Sequence, residues 1–344
     1  MTMTGAELRI DLQRLRENVR AVRERMAPAE ALVVIKDDAY AQGVEPIVAA
    51  ALDAGAVWFG GIDLDSAVRA KRTAGGRARV LCWMTLSAEE ARLGVAEGIE
   101  LGVGDADYLE RAATAPSTAT LHLKIDTGLH RNGVRPEAWA AFCARAAELE
   151  RAGRIRVAGI WTHIAEASDA EDDASRAEFD HAVGIARDAG LTPEMRHLAA
   201  SAAAWHRPEF RYDLVRIGAF CYGIRSEDGP EIDGTAPISS LVAPVVSVGT
   251  DVEVAIGSVD GFPSALAGRT HVATPGGERA LVRVDAFTSR VETWPGAAIG
   301  DDVILFGPGT RGEPTPTDLG EAIGTVGEEP LLRVSPLVPR VYVG

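Results

Sequence analysis

ALVVIKDDAYAQG, residues 31–43, opens with five apolar residues and then places a lysine, Lys36, at the end of the run. A short Val- and Ile-rich run of this kind reads as a strand buried on both faces. In an open doubly wound sheet the turn after the first such strand carries a GxGxxG pattern, and none follows here. Seven more runs of strand length lie downstream: VWFGGI (57–62), RVLCWM (79–84), IELGVG (99–104), ATLHLKI (119–125), IRVAGIWTH (155–163), EMRHLA (194–199) and DLVRIG (213–218). Most are separated by stretches with apolar residues at helical spacing, such as VEPIVAAALDAG and PEAWAAFCARAAELERAG, which end on the glycine a left-handed helix cap favours. A helix, DLQRLRENVRAVRERM, precedes the first run. Eight strands alternating with helices over roughly 200 residues is the count of a (β/α)8 TIM-type barrel. The expected fold is therefore α/β, with the barrel over residues 1–225. After residue 226 the helices stop, and segments such as SLVAPVVSV, DVEVAIGSV and DDVILFG are separated by Gly, Pro and Asp. Residues 226–344 read as a C-terminal all-β domain.

The composition narrows the function classes. A net charge of −15 argues against nucleic acid or an anionic membrane as partner, since both need a basic face. Much of the acidity sits in EASDAEDDASRAEFD (166–180), a solvated loop and helix start. Cys82, Cys143 and Cys221 form no CxxC pair and leave one over, so neither a disulfide framework nor a metal site is expected. The N-terminus lacks a basic segment followed by an apolar run, and no stretch of about 18 apolar residues occurs. A cytoplasmic protein is expected.

In a barrel the working face lies at the C-terminal ends of the strands. Lys36 ends the first run, Lys124 and Asp126 end the fifth with Arg131 in the loop beyond, His163 ends the sixth, Ser201 follows the seventh, and Arg216 lies near the end of the eighth. A lysine at a strand end is ordinarily a solvated cap. Lys36, after a continuous apolar run, sits where its charge is disfavoured, the condition that turns a lysine into a Schiff-base nucleophile. Arg216, between Val215 and Ile217, needs a buried acceptor. His163 alone reads more readily as a hydrogen-bonded core histidine than as a catalyst.

These residues resemble those of the alanine racemase family, enzymes of fold-type III that use pyridoxal 5'-phosphate (PLP). VVIKDDAYAQG (33–43) is similar to the family's cofactor-lysine segment KADAYGHG, and KIDTGLHRNGV (124–134) to KVDTGMGRLGV. GIWTHIAEA (159–167), HLAASAA (197–203) and VRIGAFCYGI (215–224) follow at the expected strands. The resemblance implies that Lys36 holds PLP as a Schiff base and acts as one base. It implies that Tyr40, Ser201, Tyr222 and the amides near Gly218 and Ala219 hold the phosphate. It further implies that Arg131 approaches the phenolic oxygen with Lys124 behind it, a lysine often carbamylated in the family. His163 would line the ring and Arg216 would meet the pyridine nitrogen. An arginine there keeps that nitrogen unprotonated, whereas related barrel decarboxylases carry a glutamate. A homodimer is implied as well, because family members complete each site with the partner's β domain.

The sequence also departs from the family. Its second base is a tyrosine in a segment like VSYGATY, and the corresponding stretch here, VVSVGTDVEVAIGSVDGF (245–262), has none. No tyrosine lies between residues 223 and 341. Pro336 stands where the family has a phosphate-binding tyrosine, VDAF (284–287) replaces its MDQ segment, Ala200 replaces an asparagine, and His130 a glycine. Three readings follow: an amino-acid racemase or epimerase with a substituted second acid or base, for which His271, Asp260 and Asp285 are candidates by residue type; a one-base PLP enzyme, such as a decarboxylase or lyase, using Lys36 alone; or a non-catalytic protein that binds PLP or an amino acid.

Overall fold

A computed structural model describes residues 5–85, 87–198, 201–226 and 232–344. The chain forms two compact bodies, one from Val22–Lys36 and Ala51–Gly218, the other from Met1–Ala21, Asp37–Ala50 and Ala219–Gly344. Strand β1 (Glu7–Asp11) belongs to the latter.

The first body is the barrel. Its strands are β2 (Glu30–Val34), β3 (Trp58–Gly61), β4 (Arg79–Cys82), β5 (Glu100–Val103), β6 (Ala119–Lys124), β7 (Ile155–Trp161), β8 (Met195–His197) and β9 (Leu214–Ile217). All pair in parallel in the order β8-β7-β6-β5-β4-β3-β2-β9, so each observed strand overlaps one of the eight apolar runs. The Asp213 amide donates to the Arg196 carbonyl at 3.1 Å, bringing the two ends of that order together. Helices between the strands start and stop on local signals. Asp63, Ser87, Asp105 and Ser168 each cap an amide of the following turn, and Ser87 with Glu90 completes a capping box.

Alternation along a strand sends every second side chain into the barrel. His122 and Lys124 on β6 therefore share a face with Trp161 on β7 and His197 on β8. Indole rings from Trp83 and Trp161 fill this interior, and Gly102 makes room for both: a Cβ there would lie 3.0 Å from Trp83 and 3.1 Å from Trp161. Lys36 comes two residues after β2, and His163 two residues after β7.

The second body is built on a mostly antiparallel sheet. Its strands are β1, β10 (Ser239–Val248), β11 (Asp251–Val254), β12 (His271–Thr274), β13 (Gly277–Val284), β14 (Ser289–Glu292), β15 (Asp302–Phe306) and β16 (Arg340–Val343). The sequence reading did not include β1, whose Leu8 and Ile10 are fully buried and whose partners are β10 and, in parallel, β16. Nor did it include two helices in this region, Pro316–Ile323 and Glu328–Leu332. The first is well signalled: Thr315 and Asp318 form a capping box, proline opens the helix and Gly324 ends it in a left-handed conformation. The described residues contain no helix long and apolar enough to cross a membrane.

Candidate active site

The residue after Lys36 begins an unusual turn. Asp37, Asp38, Ala39, Tyr40 and Ala41 all have φ between 54° and 62°. Left-handed backbone costs an L-residue roughly 1–2 kcal/mol, and a bulky residue such as tyrosine rarely adopts it. Backbone strain of this sort persists only where surroundings over-determine it, and it concentrates at functional sites. The restraints here are specific. The Gly43 amide donates to the Asp38 carbonyl at 2.8 Å, Arg340 Nε to the Ala41 carbonyl at 3.0 Å, and the Tyr342 hydroxyl to the Gln42 carbonyl at 3.0 Å. The turn holds Tyr40 with its ring centroid 4.6 Å from that of Tyr222. Both phenols are buried, and burial keeps them well above the ordinary tyrosine range, so each stays a neutral O–H donor. Ala219 lies in the same body.

The barrel carries the other expected residues. Arg216 on β9 is 5% exposed and both terminal nitrogens of its guanidinium have partners. NH1 donates to His197 Nδ1 at 3.1 Å, and NH2 faces the Thr162 carbonyl at 2.9 Å, the Leu198 carbonyl at 3.0 Å and His163 Nδ1 at 3.1 Å. This meets the requirement for buried acceptors without any carboxylate in contact. Burial and then Arg131 push the guanidinium down to about 9, which leaves it charged at neutral pH. His163 is pushed down to about 3, chiefly by burial and then by Arg216, Arg131, Lys124 and Lys36. It is therefore a neutral ring that accepts at Nδ1. Lys124, under the same burial and the same two arginines, falls to about 8 and lies 4.6 Å over the Trp161 ring. At the next turn the Gly218 amide donates to Ser201 Oγ at 3.3 Å.

Arg131 is exposed in the loop after β6. Beside it, His130 has φ +56°, the backbone that the family's glycine would adopt freely, and is held by its amide and ring to Asp126 at 3.0 and 3.1 Å. Ala200 lies outside the described residues. The three candidate second bases are each occupied locally. His271 Nε2 faces the Gly312 carbonyl at 2.9 Å, Asp260 accepts the Gly257 amide at 2.9 Å, and Asp285 pairs with Arg283 at 2.6 Å. Where the family's tyrosine segment would stand, β10 turns into β11 at once, Val248 pairing with Val252 across Gly249–Asp251.

Sequence reasoning missed three barrel residues. Glu100 Oε2 lies 2.8 Å from His122 Nε2, and His122 Nδ1 lies 2.8 Å from His197 Nε2, which in turn leads to Arg216. The available signal was a polar residue at a buried position in each of three barrel strands.

Taken as a donor set, the barrel end gathers four cations, Lys36, Lys124, Arg131 and Arg216, around one neutral imidazole. Such an excess suits a ligand bearing phosphate, phenolate and carboxylate groups, as PLP with an amino acid does.

Residues 10–226 match the family described as "Alanine racemase, N-terminal domain", and residues 248–342 match "Alanine racemase, C-terminal domain". An alanine racemase from Thermobifida fusca is 36% identical, covering 98% of both chains, and one from Frankia casuarinae is 37% identical, covering 97% and 95%. Among solved structures, alanine racemase from Streptomyces coelicolor superposes with a TM-score of 0.92 at 33% identity, covering 99% of this chain and 98% of that one. The enzyme from Streptomyces lavendulae gives 0.91 at 32% identity, covering 100% and 98%.

Proposed function

The chain belongs to the alanine racemase family of PLP-dependent isomerases, and from that premise we propose that it racemises or epimerises an amino acid using Lys36 and an altered second acid or base. The observation that carries the reading is the Arg216 guanidinium, buried, charged and donated to His163 and His197 in the midst of the cationic barrel end. When bound, PLP supplies the electron withdrawal that makes a substrate's α-proton removable. This chain's residues do the rest. Lys36 would hold the cofactor and move a proton at Nζ; Tyr40, Ser201, Tyr222 and the amides of Gly218 and Ala219 would hold the phosphate. Arg131 would approach the phenolic oxygen with Lys124 behind it, His163 would line the ring, and the obligate donor Arg216 would face the pyridine nitrogen. The tight β10–β11 turn supports a substrate larger than alanine, with the second proton transfer taken over by another group.

That same turn favours a second reading, a one-base enzyme in which Lys36 works on one face only. Proton exchange at the α-carbon, followed by NMR in deuterated buffer with added PLP over a panel of L- and D-amino acids, separates the two. Exchange with inversion supports the racemase; exchange with retention on one enantiomer supports the one-base enzyme; no exchange in the panel, with Lys36→Ala as control, removes both for those substrates.

We propose a homodimer as well. Val259, Phe287 and Leu337 are 55%, 74% and 89% exposed, and they come from three loops tied by backbone bonds from Val259 to Ala286 at 3.0 Å and from Ser335 to Asp260 at 2.9 Å. Such an apolar cluster suits an interface. Three buried cysteines, none in a disulfide, support a cytoplasmic setting.

A further inference from the structure

Glu100 opens β5, at the end of the barrel opposite the expected cofactor site, and is 7% exposed. Arg79, opening β4, clamps its two oxygens at 2.5 and 2.8 Å and lies 4.2 Å over the Trp58 ring. From Glu100 a file of buried groups crosses the interior: His122, then His197, then Arg216, at 2.8, 2.8 and 3.1 Å. His122 and His197 are both fully buried, and the His197 ring stacks on Trp161 at 5.5 Å and 5°.

The direction of every hydrogen bond in this file is forced. A guanidinium only donates, so His197 accepts at Nδ1 and carries its proton on Nε2. That proton needs an acceptor, so His122 is bare at Nδ1 and protonated at Nε2. The His122 Nε2 proton needs an acceptor in turn, and a carboxylate, which only accepts, stands there. Protonating His122 at both nitrogens would set two N–H groups against each other, as would the other tautomer of either ring. We infer that Glu100 and His122 are positioning residues: from about the length of the barrel away they keep His197 protonated at Nε2 and bare at Nδ1, so that its ring can hold the Arg216 guanidinium in place. The part of this that concerns the pyridine nitrogen rests on the PLP reading above. The chain of donors and acceptors does not.

The test is nitrogen-15 NMR of selectively labelled histidines in the full-length protein, with and without added PLP. The expected result is that each ring carries its proton on Nε2 and none on Nδ1. The charged and titratable groups facing the rings are Glu100, Arg79, Arg216 and each other. A proton on Nδ1, or on both nitrogens, of either ring overturns the inference whether or not PLP binds. Glu100→Leu should then shift the His197 ring signals, although it does not touch that ring, and should shift the absorption of PLP bound to the protein. Glu100→Gln, which keeps an acceptor, should restore both. Unchanged His197 signals in Glu100→Leu overturn the inference. If Glu100→Leu does not fold, the wild-type tautomers and the Gln variant still decide it. Failure of PLP to bind the wild-type protein would sink the cofactor reading while leaving the tautomer result standing.

Discussion

Gly159 has no side chain where the His122 ring passes: a Cβ built there would lie 2.2 Å from Nδ1. One strand therefore gives up a side chain so that its neighbour can carry a fully buried imidazole. Gly159→Ala must displace that ring or the backbone. It should cost about 1–3 kcal/mol or more, the usual effect of overpacking, read as a lowered urea midpoint. An alanine variant as stable as wild type would show that His122 has another place to go.

Arg216→Leu removes the donor from His197 and from the carbonyls of Thr162 and Leu198. Each orphaned buried acceptor costs about 1–3 kcal/mol, so a total near 3–5 kcal/mol is expected in denaturant unfolding. Arg216→Lys should recover only part of it, because one ammonium cannot span the same acceptors as a planar fork.

Acid should destabilise the protein through its buried histidines. His163 is held down to about 3, and His197 well below 6.5, in both cases first by burial. Below about pH 6.5 the unfolded chain binds protons that the folded rings refuse, so stability falls as pH falls, by at most about 1.4 kcal/mol per unit for each ring. His163→Leu should flatten the profile by one proton's worth between 6.5 and about 3. An unchanged slope would mean that His163 is charged in the folded state.

Lys36→Ala should keep the fold, seen by circular dichroism, and lose the visible absorption of bound PLP. Any α-proton exchange should fall on the order of 10²–10⁴-fold, the usual contribution of a positioned base. Exchange that survived undiminished would assign the proton transfer elsewhere.

Phe287→Asp should shift the protein toward monomer in light scattering, since it puts charge in the middle of the exposed apolar cluster formed with Val259 and Leu337. A dimer of unchanged strength would place the interface elsewhere.

The barrel was legible because each strand is a short apolar run, a property of neighbours in sequence. Lys36 and Arg216 were legible for the same reason, as charges set in such runs. Strand β1 was not, because five residues gain their meaning only from β10 and β16, far along the chain. Glu100, His122 and His197 look like ordinary interruptions until folding lines them up, since no two of them lie within 20 residues of each other. The left-handed turn was hidden as well. Aspartate tolerates positive φ, but alanine and tyrosine do not announce it.

That turn also sets an order of events. Its carbonyls at Ala41 and Gln42 are held by Arg340 and Tyr342, 299 and 300 positions downstream. While the polypeptide is still being made, the segment after Lys36 has no reason to hold its disfavoured shape, and Tyr40 no fixed place. The shape of the segment after Lys36 is therefore among the last features to set, and it waits on residue 342 leaving the ribosome.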